Sequence, residues 1–536
     1  MVVLLVEKKI PAYVFPVTES LAKPSPWLQL WKFLQRPVVF IGGLTCLALL
    51  IQGYHPYVDD AAIYVAGIEK VIHPSLFPLH AEYVLPHLKH SLFSFALGWF
   101  IRVLHVPLSY ALFGTYLISI ALMVFACWRL TCLLFTTPQA RWGAMLLITA
   151  TLTLPVAGTA IFFIDPYLTA RSFSTPATIL AIAYVLERRM LASALCLIAA
   201  FVLHPLMAAY AIGYVITLSL LRTQRWNWLA GLAVLVMLIG LAGSHSGNLL
   251  GDSPAYKIAA MSRSYFFVNS WTWYEVFGLF PPLAAAVIYW ASRDFGLQLN
   301  YSRVSAASLY VGILALLFAV CFARTQDSIL LARLQPLRAF QLIYILFFLL
   351  LGSLLGEYFL RRRWWAWIGF FTVIAGTMFT AQIYIYPSLA HIEWPWSQTV
   401  NPWEEAFLWI RSNTPNDALF ALDPHYQAQP QEDTLGFRAM AQRSVLADWS
   451  KDGGVAAIYP AVAAEWWSEM TATEHFSQWT DAQRIQVLAP YHVNWIVLPH
   501  AAATQFVCPY VNSAVRVCQL PANIAQLPDP SRPAQP

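Results

Sequence analysis

The sequence predicts a polytopic α-helical membrane protein with a small α/β domain after its last span, and three observations predict it. Hydrophobic residues make up 59% and charged residues only 11% of the 536, outside the range of a soluble chain of this length. Apolar stretches of span length recur up to residue 386, separated by short clusters of Lys and Arg. Beyond Tyr386 those stretches stop, and turn residues, acids and Asn take over.

A spanning helix needs roughly 20 apolar residues. Spans fall near 37–53, 108–128, 142–162, 172–186, 190–203, 205–221, 228–243, 272–291, 305–323, 338–356 and 364–386, about eleven in all. His204-Pro205 reads as a tight turn between two of them, because Pro205 lacks a backbone donor and disfavours helix at the residue before it. The Met1–Val6 run is too short for a signal h-region, so the first stretch is expected to stay as an anchor.

The basic residues set the orientation. Lys8, Lys9, Lys23, Lys32 and Arg36 precede the first span and make the N-terminal segment 1–36 cytoplasmic. Arg129 with Arg141, Arg188-Arg189, Arg222 with Arg225, Arg293 with Arg303, and Arg361-Arg362-Arg363 then share that side, provided the run 92–104 does not cross. That run is short and ends in Arg102 and His105, so it reads as a helix lying in the outer face. Residues 54–106 become one long external loop of an inner-membrane module spanning 37–386. Asp165, His204, the loops 244–270 and 324–336, and the C-terminal domain lie on the same face. The net charge of +5 follows from this topology rather than from nucleic-acid binding.

The domain from 387 to 522 is read as α/β and external (periplasmic). Asn401 as N-cap, Pro402 at the first helical position and Glu404-Glu405 in the first turn open a helix. Residues 418–422 and 494–498 are short strand candidates. Residues 523–536 form a Pro-rich tail expected to be disordered. Cys46, Cys127, Cys132, Cys196 and Cys321 fall in or beside apolar spans, as small buried side chains do. Cys508 and Cys518 are expected to form a disulfide across a hairpin in an oxidising exterior, the alternative being two free thiols.

The external face collects the candidate site residues. Tyr54-His55-Pro56-Tyr57-Val58-Asp59-Asp60 leaves the first span with two adjacent carboxylates, which are costly inside hydrocarbon. Asp59 is also a candidate N-cap for a helix that follows. The same loop adds His80, Glu82, His87 and His90, of which Glu82 and His80 form a candidate metal pair. Asp165 and Arg171 follow the third span, then His204, and finally Arg333 and Arg338, with Arg171, His204, Arg333 and Arg338 as candidate substrate-binding groups. Each has a structural reading too: Asp165-Pro166 is an ordinary helix start, and the arginines suit snorkelling at an interface.

In these features the chain resembles the GT-C superfamily of membrane glycosyltransferases, which includes protein O-mannosyltransferases, aminoarabinose transferases and oligosaccharyltransferases. The likeness rests on Val58-Asp59-Asp60-Ala61-Ala62-Ile63-Tyr64, the long first external loop, Asp165 and the C-terminal domain. It is nearest to bacterial members with Asp-Pro-Tyr and Thr-Ala-Arg-Ser-Phe-Ser-Thr-Pro at 165–176 and Leu-Gln-Pro-Leu-Arg at 334–338. The resemblance implies catalytic roles for Asp59 or Asp60 and for Asp165, as base or metal ligand, and matches Glu82 to a later first-loop acid. Near Glu82 the chain departs from the family pattern, with Pro86-His87-Leu88-Lys89-His90 in place of the usual Pro-Pro or Lys-Pro step. Trp466-Trp467-Ser468 lacks the acid of the oligosaccharyltransferase Trp-Trp-Asp signature, which argues against en-bloc transfer to Asn.

The reaction implied is sugar transfer from a polyprenyl-phosphate-linked donor, held by membrane lipid, to a glycan, lipid or protein acceptor. Asp59 would act as base, and Arg333, Arg338 or a divalent metal would hold the phosphate. Two other readings compete. A transporter would show paired repeats and broken helices, and no internal repeat is visible. A non-catalytic partner in envelope or polysaccharide assembly or export would tolerate neutral substitutions at the three aspartates.

Overall fold

The computed structural model describes residues 37–246, 253–291, 299–324 and 329–521. The N-terminal segment 1–36, Arg293 and the tail at 523–536 lie outside the described residues.

The first half of the chain folds as α1 (Pro37–Gln52), α2 (Ala61–Ile72), α3 (Leu85–His90), α4 (Leu92–Leu104), α5 (Leu108–Leu134), α6 (Pro138–Ala150), α7 (Arg171–Leu186), α8 (Met190–Leu203) and α9 (Pro205–Arg222). There follow α10 (Trp226–Ser246), α11 (Pro254–Met261), α12 (Trp273–Gly278), α13 (Phe280–Ala291), α14 (Leu299–Phe322), α15 (Ile329–Ala332), α16 (Phe340–Leu354) and α17 (Trp364–Ile385). Among the described residues six helical segments are long and apolar enough to cross a membrane: Leu108–Leu134, Pro205–Arg222, Trp226–Ser244, Asn300–Phe322, Ile329–Leu360 and Trp364–Ile385. The chain is a multi-pass membrane protein. Helix length alone does not reach the expected count of about eleven, because α1, α7 and α8 are shorter helices and two expected spans are interrupted.

The expected span 142–162 is one of these. Helix α6 ends at Ala150, and the chain turns through an irregular hairpin closed by a bridge between Pro155 and Phe162. Pro155 disfavours helix at Leu154, and Gln52 Nε2 caps the helix end by donating to Thr149 O and Ala150 O, both at 3.1 Å. The apolar hairpin residues Val156, Ile161, Phe163 and Ile164 are buried inside the protein. The expected span 272–291 breaks at Leu279, just before Pro281-Pro282, into α12 and α13. Helix α4 has 13 residues, about 20 Å, against a hydrocarbon core of about 30 Å. Its Gly98 lies against Val71 and Ile68 of α2, where a Cβ would come within 2.8 Å of Val71 Cβ.

The C-terminal domain comprises α18 (Pro402–Asn413), β1 (Leu419–Ala421), α19 (Phe437–Ala441), β2 (Ser444–Val445), α20 (Lys451–Ile458), α21 (Ala463–Thr473), α22 (Asp481–Leu488), β3 (Trp495–Pro499), β4 (Val507–Val511) and β5 (Val515–Gln519). Asn401 caps α18 through Trp403 N at 2.8 Å and Glu404 N at 3.2 Å. The sheet order is β2-β1-β3-β5-β4, parallel on the β1 side and antiparallel around β5. Cys508 and Cys518 form a disulfide between β4 and β5. The Trp466-Trp467 step is structural: Trp466 is fully buried and its Nε1 donates to Asp448 O at 2.9 Å.

The domain is seamed to the helices by the segment 54–60. Tyr54 N donates to His391 O at 3.0 Å, Asp59 N to Thr434 O at 3.0 Å, and Gly436 N to Tyr57 O at 3.0 Å. Gly436 is needed there, because a Cβ would lie 2.1 Å from Ala62 Cβ.

Candidate active site

The seam holds the aspartate pair in an unusual geometry. Asp59 sits at φ 47°, a left-handed conformation that costs a non-glycine residue energy. Asp60 is the N-cap of α2, yet its side chain makes no capping bond. Helix capping therefore does not account for either carboxylate. Asp59 Oδ1 accepts from Lys451 Nζ at 3.0 Å, and Oδ2 accepts from Tyr386 OH at 3.0 Å. Asp60 Oδ2 accepts from Arg171 Nη2 at 2.9 Å, and Lys451 Nζ stands 3.9 Å from its Oδ1.

Arg171 opens α7 and bridges two acids. Its Nη2 lies 3.1 Å from Asp165 Oδ2, and its Nε donates to the same oxygen at 3.2 Å. Asp165 is buried behind it, with Thr169 Oγ1 donating at 3.0 Å. Burial alone would raise the Asp60 carboxyl, but Arg171 and Lys451 outweigh it and hold it well below the usual carboxylate range. Burial raises Asp165, opposed by Arg171. Burial would lower the Lys451 ammonium, but Asp59 and Asp60 raise it, so it stays charged.

Asp59, Asp60, Arg171 and Lys451 line one cavity of about 650 Å³ between the membrane helices and the C-terminal domain. Of the residues singled out from the sequence, Asp59, Asp60, His87, His90, Arg171, His204 and Arg338 reach it. Tyr64, Tyr167, Tyr265 and Tyr459 supply aromatic walls. His204 Nδ1 accepts from Met207 N at 3.4 Å, capping α9. Burial, with Arg171 and Arg338 nearby, pushes its imidazole down to about 3. A neutral ring whose Nδ1 accepts carries its proton on Nε2, a donor for a ligand. Arg338 Nε donates to Thr159 O at 3.3 Å and its guanidinium stands 5.2 Å from the Tyr265 ring centroid. Among the described residues no carboxylate forms an ion pair with it.

Other sequence-derived candidates sit elsewhere. Asp165 does not line the cavity and acts on it only through Arg171. Arg333 is turned away, its Nη1 donating to Ile458 O at 3.3 Å, because Gln335 at φ 50° reverses the chain between the two arginines. His80 and Glu82 form a separate cluster with α21: His80 Nδ1 is 2.8 Å from Glu469, 3.4 Å from Glu82 and 3.9 Å from Glu465. Burial would lower His80, but Glu469 and Glu82 outweigh it and raise it to about 9.

A divalent metal fits these two places differently. His80, Glu82 and Glu465 offer ligand atoms within 4.8 Å of one another, a donor set suited to such an ion once His80 loses its proton. At the aspartates, oxygens of both carboxylates already face fixed cations, and among the described residues no third ligand joins them. A divalent metal does not fit there.

Lys451, Arg263 and Tyr386 were not among the candidates read from the sequence. Arg263 lines the cavity and donates to Ser450 O at 2.9 Å and to Trp449 O. Gly453 permits this, since a Cβ there would lie 2.5 Å from Arg263 Nη2. The signal in the sequence is Lys451-Asp452-Gly453-Gly454, a charged pair followed by two glycines at a helix start.

A family model described as a domain of unknown function, DUF6798, matches residues 401–472, the stretch that carries Lys451 to the cavity. No curated protein matches the chain. Among solved structures, the archaeal oligosaccharyltransferase AglB from Archaeoglobus fulgidus, in complex with an inhibitory peptide and a dolichol-phosphate, is 14% identical with a TM-score of 0.45, over 89% of this chain and 70% of that one. An apo oligosaccharyltransferase from the same organism is 13% identical with a TM-score of 0.42, over 87% and 70%. An overlap this loose assigns neither activity nor substrate to the chain.

Proposed function

We propose that the protein transfers a sugar from a polyprenyl-phosphate-linked donor to an acceptor hydroxyl in the cavity at the external membrane face. One observation carries the reading: a single cavity brings the paired carboxylates Asp59 and Asp60 together with Arg338, a guanidinium that forms no ion pair among the described residues. Carboxylates suit the acceptor hydroxyl, and an unpaired arginine suits the phosphate oxygens. The ionic set supports a donor with one negative charge. Arg171, Arg263, Arg338 and Lys451 face Asp59, Asp60 and the Asp165 behind them, so one positive charge is left over. Tyrosine walls and the neutral His204 suit a sugar, which presents apolar faces and hydroxyls together.

The step is a single inverting displacement. The acceptor oxygen bonds to the anomeric carbon while the carbon–oxygen bond to phosphate breaks, and the lipid phosphate leaves with the electron pair toward Arg338. The hydroxyl proton passes to Asp59. In the resting site Asp59 already accepts from Lys451 and Tyr386. It takes the proton late, as bonding to the sugar acidifies the hydroxyl. Asp60 and Asp165 hold Arg171 in place. Purified protein given a radiolabelled polyprenyl-phosphate sugar should release sugar from lipid, and Asp59→Asn should reduce the rate by about 100-fold or more. Equal rates in the two proteins, or no release under any condition, would defeat the proposal.

A further inference from the structure

We propose that Lys451 is a built-in cation, standing between Asp59 and Asp60 where two adjacent carboxylates would otherwise bind a divalent metal. The exclusion of metal does not rest on the glycosyl-transfer reading.

The position of the ammonium is fixed by its surroundings. Nζ is 3.0 Å from Asp59 Oδ1 and 3.9 Å from Asp60 Oδ1, and the side chain is only 15% exposed. Helix α20, which starts with Lys451, is anchored on both sides. Arg263 holds the carbonyls of Trp449 and Ser450 just before it. Arg438 Nη1 binds both oxygens of Asp452 at 2.6 and 2.7 Å. The remaining Asp59 oxygen accepts from Tyr386, and the remaining Asp60 oxygen accepts from Arg171. Every carboxylate oxygen of the pair therefore faces a donor or a cation. A divalent ion at this point would meet an ammonium and a guanidinium at contact range, where like charges repel strongly even with partial screening. Oxygen-loving divalent ions take six or more ligands, and this place offers none that is free. The C-terminal domain thus supplies one of the two cations at the aspartate pair, and a domain lifted off the helices would leave Asp59 without its ammonium while Asp60 keeps Arg171.

The test is Mn²⁺ binding followed by electron paramagnetic resonance, on full-length protein in lipid nanodiscs. His80→Ala and Glu465→Gln first silence the separate donor set. In that background no Mn²⁺ site depending on Asp59 or Asp60 is expected. Adding Lys451→Ala should open one, with affinity rising about tenfold or more, and Asp60→Asn should remove it again. If Lys451→Ala does not fold, Lys451→Met keeps the packed stem and replaces it. Mn²⁺ held with Lys451 intact and released by Asp59→Asn overturns the proposal. So does a folded Lys451 variant that gains no Mn²⁺. Neither readout needs a sugar donor, so a protein without transferase activity still decides the matter.

Discussion

Replacing Arg171 by Met removes the one cation that Asp165 contacts among the described residues. The two side chains are 6% and 2% exposed, whereas Asp60, the other partner, is 37% exposed. Asp60 can be rehydrated from the cavity and loses little, as exposed pairs do. Asp165 cannot, and an unpaired buried carboxylate costs about 3–5 kcal/mol. Asp165→Asn removes that charge while Arg171 keeps Asp60, so its own cost should be smaller. The double variant Arg171→Met/Asp165→Asn should then be more stable than Arg171→Met alone, with a coupling of about 2 kcal/mol. Arg171→Lys keeps charge but not the fork, and should fall between wild type and Met. Apparent thermal midpoints in one detergent, scanned at one rate, rank the wild type and the four variants. Simple addition of the two single effects would refute the buried bridge, as would a wild-type midpoint for Arg171→Met.

Three further outcomes are expected. Gly436→Ala drives a Cβ to 2.1 Å from Ala62 Cβ, so it should cost about 1–3 kcal/mol and speed proteolysis at the seam between domain and helices. His80 is raised from 6.5 to about 9, so its contribution to stability is complete below pH 6.5 and is lost as pH rises through 9; the melting gap between wild type and His80→Gln should narrow across that window. Arg338→Met should weaken binding of a polyprenyl phosphate by about 10–100-fold, the scale of one charged hydrogen bond, while Arg333→Met should leave it unchanged, both read by native mass spectrometry.

Much of the site lies in local sequence. Asp59-Asp60 at the end of the first apolar stretch, and Asp165 and Arg171 around a Pro turn, are legible because carboxylates and arginines are costly in hydrocarbon and so mark a membrane face. What was hidden depends on docking and turns. Lys451 meets Asp59 across 392 positions, and no local pattern announces a contact made by one folded domain against another. Arg333 and Arg338 look equivalent until Gln335 takes a left-handed turn. Hydropathy likewise cannot tell burial in lipid from burial in protein, which is why the hairpin after Ala150 reads as the second half of a span. Its Phe163 and Ile164 are covered by other side chains.

In this reading the cavity beside Arg338 receives a lipid phosphate. A photoreactive polyprenyl-phosphate analogue, cross-linked to the purified protein and mapped by mass spectrometry, tests it most directly. Label is expected in the peptides carrying Leu203–Leu206, Gln335–Arg338 and Ser450–Tyr459, which line the cavity, with its loss in Arg338→Met. Label confined to the exposed faces of α10 and α17, and unchanged by that substitution, would contradict it.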